Sequence, residues 1–140
     1  MASGQVAFSR KQISGEVAMI ANELTSDCIY TGLFGALDSA RMAAVSDRLT
    51  ELANEKQNGV AIIDLANVEA IDSAVAGYME SLARTLKFVG VKCIFCGISG
   101  DLARTMVNAG VGMGDFPIVR DLKSALKLAL KFNGQEIRSI

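Results

Sequence analysis

Residues 60–79, "VAIIDLANVEAIDSAVAGYM", join a short apolar run to the start of a helix. The run at 60–65 is almost wholly apolar, which is typical of a strand buried on both faces of a parallel sheet. A helix is predicted from residue 73 because apolar side chains then recur at helical spacing, at Val75, Met79, Leu82 and Leu86. A strand followed at once by an amphipathic helix predicts an α/β fold.

The same alternation extends outward from this stretch in both directions. Strands are predicted at 17–24, 28–35, 91–98 and 116–119, and further helices at 36–59, 99–110 and 120–132. The first two strands are close enough to form a hairpin. We therefore predict the α/β class, with a mixed sheet of four to five strands, an N-terminal hairpin and about four flanking helices.

The length of 140 residues indicates one domain. We expect a flexible N-terminal arm at 1–15, the folded domain at 16–132 and a C-terminal tail at 133–140. No apolar run approaches the ~18 residues of a membrane-spanning helix. The start lacks the apolar segment of a secretion signal, so we expect a cytoplasmic chain with reduced thiols and no membrane association.

The charge and hydropathy of the chain bear on its partners. The net charge is −1 and the lysines and arginines look scattered, so we expect no basic stripe and no nucleic-acid partner. The charges of residues 47–56 are typical of a solvated helix face. Hydrophobic residues make up 51% of the chain, which indicates apolar surface reserved for protein partners.

Several kinds of catalytic and cofactor site are disfavoured by the residue types. Histidine is absent, which excludes serine–histidine and cysteine–histidine pairs. Cys93 and Cys96 lie three apart in a strand and therefore point to opposite faces, so they cannot share a metal or form one disulfide. We interpret both as buried hydrophobes, although Cys96, at the strand end, leaves an exposed reactive thiol open.

No nucleotide-binding motif is complete. The glycines of residues 110–115, "GVGMGD", follow a helix rather than a strand and end in an aspartate, so they fail as a dinucleotide fingerprint. We therefore predict no metal, no cofactor and no enzyme. Two less favoured hypotheses stay open: a carboxylate pair of Asp64 and Asp72, and a small enzyme or nucleotide-binding module that depends on Asp64 or Cys96.

The neighbours Asp72 and Ser73 open the helix at the end of the sheet where ligands of α/β proteins usually bind. Ser73 is a good N-cap, since its oxygen can accept a backbone N–H. It can also be a phosphoacceptor, because the partial positive charge of a helix N-terminus accommodates a phosphate. Spacing alone favours the cap and leaves the phosphoacceptor open.

Five segments taken in order resemble a STAS domain of the anti-sigma-factor-antagonist family. They are "GALDSAR", "VAIIDLANVEAIDSAVAGYM", "GVKCIFCGI", "LARTMVNAGV" and "DLKSALKLAL", and the resemblance covers residues 16–132. The third and fourth are most similar to the stressosome proteins of the RsbS and RsbR types. Because only residues 1–15 precede the predicted domain, the chain resembles the stand-alone RsbS type more than the sensor-bearing RsbR type.

The resemblance implies a non-catalytic switch. Ser73 would be phosphorylated by a serine/threonine switch kinase of the RsbT type, and a serine phosphatase would reset it. The chain would form an oligomeric scaffold with sensor-bearing STAS paralogues and hold the kinase until phosphorylation. Cys96 stands where the RsbR type often has a second phosphorylatable threonine, so a second phosphosite is not expected there.

The kinase-docking surface implied by the resemblance consists of the loops that follow three strands, with Asp38, Ser39, Asp72, Ser73, Ala74, Gly97 and Ile98. An alternative function is a diffusible antagonist that binds an anti-sigma factor or kinase directly.

Overall fold

The structure, a computed structural model, describes residues 19–25, 27–56, 59–112, 114 and 116–132. The predicted arm at 1–15 and tail at 133–140 lie outside the described residues. The elements follow the predicted order: β1 (Met19–Thr25), β2 (Cys28–Ala36), α1 (Ser39–Lys56), β3 (Val60–Ala70), α2 (Ser73–Phe88), β4 (Lys92–Cys96), α3 (Gly100–Asn108), β5 (Ile118–Val119) and α4 (Leu122–Phe132).

The five strands form one sheet in the order β1-β2-β3-β4-β5. β1 pairs antiparallel with β2, and the other three pairings are parallel. The predicted mixed sheet with an N-terminal hairpin is therefore confirmed. β5 is the last strand of the order, and the preceding Pro117 suits an edge because proline cannot donate to a ladder.

β3 is longer than predicted. It pairs with β4 only as far as Asp64, opposite Cys96, and then continues to Ala70 beside β2. Along this extension Gly32 pairs with Asp64 but Phe34 pairs with Asn67, so β3 contains one extra residue there, a β-bulge. A second extra residue follows, since Gly35 pairs with Val68 but Ala36 pairs with Ala70. The predicted end of this strand at residue 65 is therefore wrong. The sequence did not reveal the extension because it is exposed and lacks the apolar pattern of the buried part of β3.

The sheet separates two apolar clusters. The larger lies between the sheet and the helices α1, α2 and α3, and the smaller lies under α4. Cys93 belongs to the first and Cys96 to the second, so their predicted placement on opposite faces is confirmed. Burying each large apolar side chain contributes about 1.5–3 kcal/mol. The apolar stripes of α1 and α2 supply much of this, with Met42, Val45, Leu49, Val75, Met79, Leu82 and Leu86 all at most 1% exposed.

Candidate functional site

The start of α2 is capped by Asp72. Its backbone is extended, with φ −105° and ψ −179°, and its Oδ1 accepts the Val75 N–H at 2.8 Å. The Asp72 carbonyl also accepts the Ala76 N–H at 3.1 Å. The interpretation of Ser73 as the N-cap is therefore wrong. Asp72 already occupies that position, and Ser73 is the first residue of the helix.

Ser73 lies on the surface of a firmly anchored helix. Ser73 is exposed, and so are its neighbours Asp72 and Ala74. The next two residues, Val75 and Ala76, are completely buried in the larger cluster. The capping aspartate and the buried first turn hold the backbone at Ser73. Its hydroxyl is therefore accessible to another macromolecule without any opening of the fold.

α1 begins in the same way. The Oδ1 of Asp38 accepts the Arg41 N–H at 2.8 Å, and Ser39 is the first helical residue. Ser39 differs from Ser73 in being half-buried. The Leu37 N–H donates to the Ala70 carbonyl at 3.1 Å, which ties the two loops together. The structure therefore brings the predicted residues of the first two loops to one place.

The third predicted loop, which follows β4, contacts β3 at a different position along the strand. Gly97 has φ +73°, and a Cβ there would lie 2.7 Å from both the Ala66 N atom and the Asp64 Oδ1 atom. Only glycine fits this left-handed and crowded position. Ala66 lies four residues before Ala70, the residue that accepts the hydrogen bond from the first loop. This separation corresponds to about 13 Å along the strand. Gly97 therefore lies beside the bulge of β3, whereas the first two loops contact each other directly.

Asp64 stabilises that bulge, a role that was not predicted from the sequence. Its Oδ1 accepts the Ala66 N–H at 3.0 Å, and its Oδ2 accepts the Tyr30 hydroxyl at 2.8 Å. Burial and this hydrogen bond raise the pKa of Tyr30 to about 12. An acid inside an otherwise apolar strand was the available signal. Because both oxygens bind groups of the fold itself, Asp64 is a structural residue.

Cys96 lies against the same carboxylate. It is 0% exposed, and burial followed by the charge of Asp64 raises its pKa to about 12. Burial also raises the pKa of Cys93 to about 12. Both groups stay protonated thiols near neutral pH, whereas the thiolate is the reactive form. The possibility of an exposed, reactive Cys96 is therefore wrong.

The described surface carries apolar side chains, as the composition predicted. Seven large ones are at least one-third exposed: Phe34, Tyr78, Phe88, Val89, Val107, Ile118 and Phe132. An open groove of about 470 Å³ runs between α3 and β5, lined mainly by Ile98, Met106, Val107 and Ile118.

The described residues contain no cluster of three or more histidine, cysteine, aspartate or glutamate side chains suited to a metal. A search of the same part of the chain finds no helix with the length and hydropathy needed to cross a membrane.

With this geometry in place, comparison with known proteins identifies the class. The sequence model of the STAS domain matches residues 19–125, so the chain belongs to the STAS domain family. A relative of Bacillus subtilis (strain 168), the RsbT co-antagonist protein RsbRA, is 26% identical over 108 residues, which are 77% of this chain and 39% of RsbRA. RsbRC of the same organism is 29% identical over 99 residues, or 71% of this chain and 35% of RsbRC. The chain thus spans less than two-fifths of these relatives.

Solved structures show the same fold. A variant of RsbS from Moorella thermoacetica superposes with a TM-score of 0.72 at 15% identity, covering 84% of this chain and 98% of that one. A chain of the stressosome gives 0.66 at 15% identity, with 81% and 97% covered. SpoIIAA of Bacillus in its phosphorylated form gives 0.60 at 18% identity, with 78% and 96% covered.

Proposed function

We propose that this chain is a phosphorylation-dependent scaffold protein of a stressosome-like assembly. Ser73 accepts a phosphate from a serine/threonine switch kinase of the RsbT type, and the surface around it holds that kinase until the phosphate is added. A serine phosphatase removes the phosphate. The chain is then a cytoplasmic substrate and scaffold that catalyses nothing and needs no cofactor.

The observation that carries this proposal is the exposed Ser73 hydroxyl directly after the capping Asp72. In the transfer, the Ser73 Oγ loses its proton, bonds to the γ-phosphorus of ATP and displaces ADP. The product adds about −1.5 to −2 charges at the start of a helix, where the macrodipole favours an anion. The helix survives the modification because its cap and its buried first turn do not involve the Ser73 side chain. Phosphorylation then changes the charge of the docking surface and leaves the fold in place.

The relatives support the proposed partners. RsbRA and RsbRC are named as co-antagonists of RsbT, and they match this chain over more than two-thirds of its length. Sensor-bearing proteins of that kind are the expected co-assembling paralogues, and the exposed apolar side chains supply surface for such contacts. Asp38, Ser39, Asp72, Ser73, Ala74, Gly97 and Ile98 form the proposed kinase-docking surface.

The proposal is tested by incubating the chain with RsbT and Mg-ATP and mapping phosphate by mass spectrometry. We expect one phosphate, on the peptide that contains Ser73. Ser73→Ala should receive none. Ser39→Ala is the matched control, since Ser39 occupies the same position in its helix, and it should still receive one. Phosphate on Ser73→Ala at the wild-type level, or no transfer to the wild type, contradicts the proposal.

The alternative of a diffusible antagonist differs in the size of its complexes. Size-exclusion chromatography with an RsbR-type paralogue separates the two functions. Megadalton particles support the scaffold, whereas species no larger than a small complex support the diffusible antagonist.

A further inference from the structure

Two helices on opposite faces of the sheet each carry a line of three like charges. The six side chains are exposed and follow one another at four-residue intervals. We call Asp47, Glu51 and Glu55 on α1 the acidic stripe, and Lys123, Lys127 and Lys131 on α4 the basic stripe. The expectation that the lysines form no stripe is therefore wrong. In the sequence the three lysines are separated mainly by leucines and alanines, so their position on one face of the helix is not evident.

The two stripes have the same dimensions. Residues four apart on a helix are offset by about 40° and 6 Å, so each stripe covers an arc of about 80° and a length of about 12 Å. When two helices pack side by side, their axes are about 8–10 Å apart. When the helices also cross at about −50°, their rows of residues four apart align, so the three lysines of one stripe can each face a carboxylate of the other.

Among the side chains that the structure describes, neighbouring charges do not cancel either stripe. Arg48 pairs with Glu51 at 2.9 Å, so the acidic stripe with this arginine has a net charge of −2, from three negative charges and one positive. α4 contains no acid between Leu122 and Phe132. The preceding Asp121 is turned to the helix start, where it accepts the Ser124 N–H at 2.9 Å. The charge of Asp121 still acts on Arg120 and Lys123, so the basic stripe together with Arg120 and Asp121 has a net charge of +3, from four positive charges and one negative.

We propose that the basic stripe of one molecule docks on the acidic stripe of a second copy of this chain. The contact joins different surfaces of the two copies, so each copy keeps one stripe available and can bind a further copy. This arrangement rests on the proposed scaffold function, because it specifies how copies of the chain contact one another in the assembly. A second copy is favoured over an anionic polymer as the binding partner of the basic stripe, because the chain carries an acidic stripe of matching length and has a net charge of −1.

The contact is weak by itself and sensitive to salt. Exposed ion pairs contribute little individually, and salt screens them beyond about 10 Å at 0.1 M. Both stripes lie at the surface, so screening acts on them fully. The association then gains strength from the number of copies joined and from apolar contacts such as the one-third-exposed Phe132 beside Lys131.

A charge-swap experiment tests the docking. One variant carries Lys123→Glu, Lys127→Glu and Lys131→Glu, and the other carries Asp47→Lys, Glu51→Lys and Glu55→Lys. Sedimentation velocity is measured at about 50 mM and about 500 mM NaCl, which brackets weak and strong screening. The wild type should exceed its monomer mass of 14.8 kDa increasingly with concentration at low salt and return to it at high salt. Each variant alone should stay monomeric.

An equimolar mixture of the two variants should regain the association, because each then meets a surface of opposite charge. A mixture that stays monomeric although circular dichroism shows both variants folded overturns the proposal. So does a wild type that is monomeric at low salt, or a single variant that associates as the wild type does. If only phosphatidylserine vesicles bind the wild type, and the lysine variant loses that binding, the basic stripe belongs to a membrane surface and the proposal fails.

Phosphate transfer to Ser73 by RsbT is measured on the same variants. If phosphate is still transferred although the mixture fails to associate, the stripe contact is wrong and the proposed function is unaffected. Association that behaves as expected without any transfer removes the proposed function and leaves the contact between copies.

Discussion

The starts of α1 and α2 use the same two residue types in the same positions. Asp38 and Asp72 each cap a helix with a 2.8 Å hydrogen bond to the N–H three residues on, and a serine follows each of them. The two serines differ in exposure, since Ser39 is half-buried and Ser73 is exposed. The dipeptide therefore specifies a helix start, and its surroundings decide whether the hydroxyl can meet another protein.

The largest difference between the two starts should be seen in kinase binding. Ser73→Asp adds a negative charge at the centre of the proposed docking surface, where like charges weaken association. We expect RsbT to bind this variant roughly tenfold more weakly, or about 1.4 kcal/mol. Ser39→Asp places the charge at a half-buried position of the same docking surface and should weaken binding less, by about threefold. Interferometry on the immobilised chain measures both.

Equal weakening by the two aspartates would show that the kinase does not distinguish the two helix starts. No weakening by Ser73→Asp would place the docking surface elsewhere.

The two caps, by contrast, should be nearly equivalent in stability. Asp72→Ala and Asp38→Ala each remove one capping hydrogen bond, which costs about 1 kcal/mol. Urea denaturation followed by circular dichroism should show both losses with an unchanged dependence on denaturant. Asp72→Asn and Asp38→Asn are the controls, because asparagine caps as well as aspartate without the charge. A loss at only one of the two sites would mean that the capping bonds are not equivalent.

The smallest effect concerns the response of the helix itself to a negative charge at its first position. Ser73→Asp should alter the free energy of unfolding by only about 0.3 kcal/mol, because the favourable interaction with the helix dipole is partly offset by the adjacent Asp72. The same urea titration, run on Ser73→Asp beside the wild type, measures it. A loss above about 1 kcal/mol would contradict the view that a phosphate leaves the fold in place.

The fold was predictable because its core elements carry strong patterns. The apolar run that opens β3 and the stripe Val75, Met79, Leu82 and Leu86 of α2 are periodic and buried, so sequence and packing agree. The extension of β3 carries no such signal. Asn67 and Glu69 are exposed in it, and it is held by pairing to β2 alone beyond a bulge.

The site was predictable in part. The Asp72 and Ser73 pair marks a helix start in the sequence, but both residues are good caps, and only the backbone geometry decides which one accepts the N–H. The two stripes could be recognised only from the observed exposure of the charged side chains on α1 and α4. The contact of Gly97 with the bulge at Asp64 depends on strand register, which single-sequence patterns do not determine.

The hydrogen bond from Tyr30 to Asp64 gives this chain an internal optical signal. The chain has two tyrosines and no tryptophan, so its near-ultraviolet absorption above that of phenylalanine comes from two phenols. The pKa of Tyr30 is raised from 10.0 to about 12, so its phenol stays protonated in the folded chain between these values and ionises when the chain unfolds. Fold stability should accordingly fall as the pH rises through that window. In a Tyr78→Phe variant, which keeps Tyr30 as its single tyrosine, phenolate absorption within this window would report that β2 and β3 have separated, with no label attached.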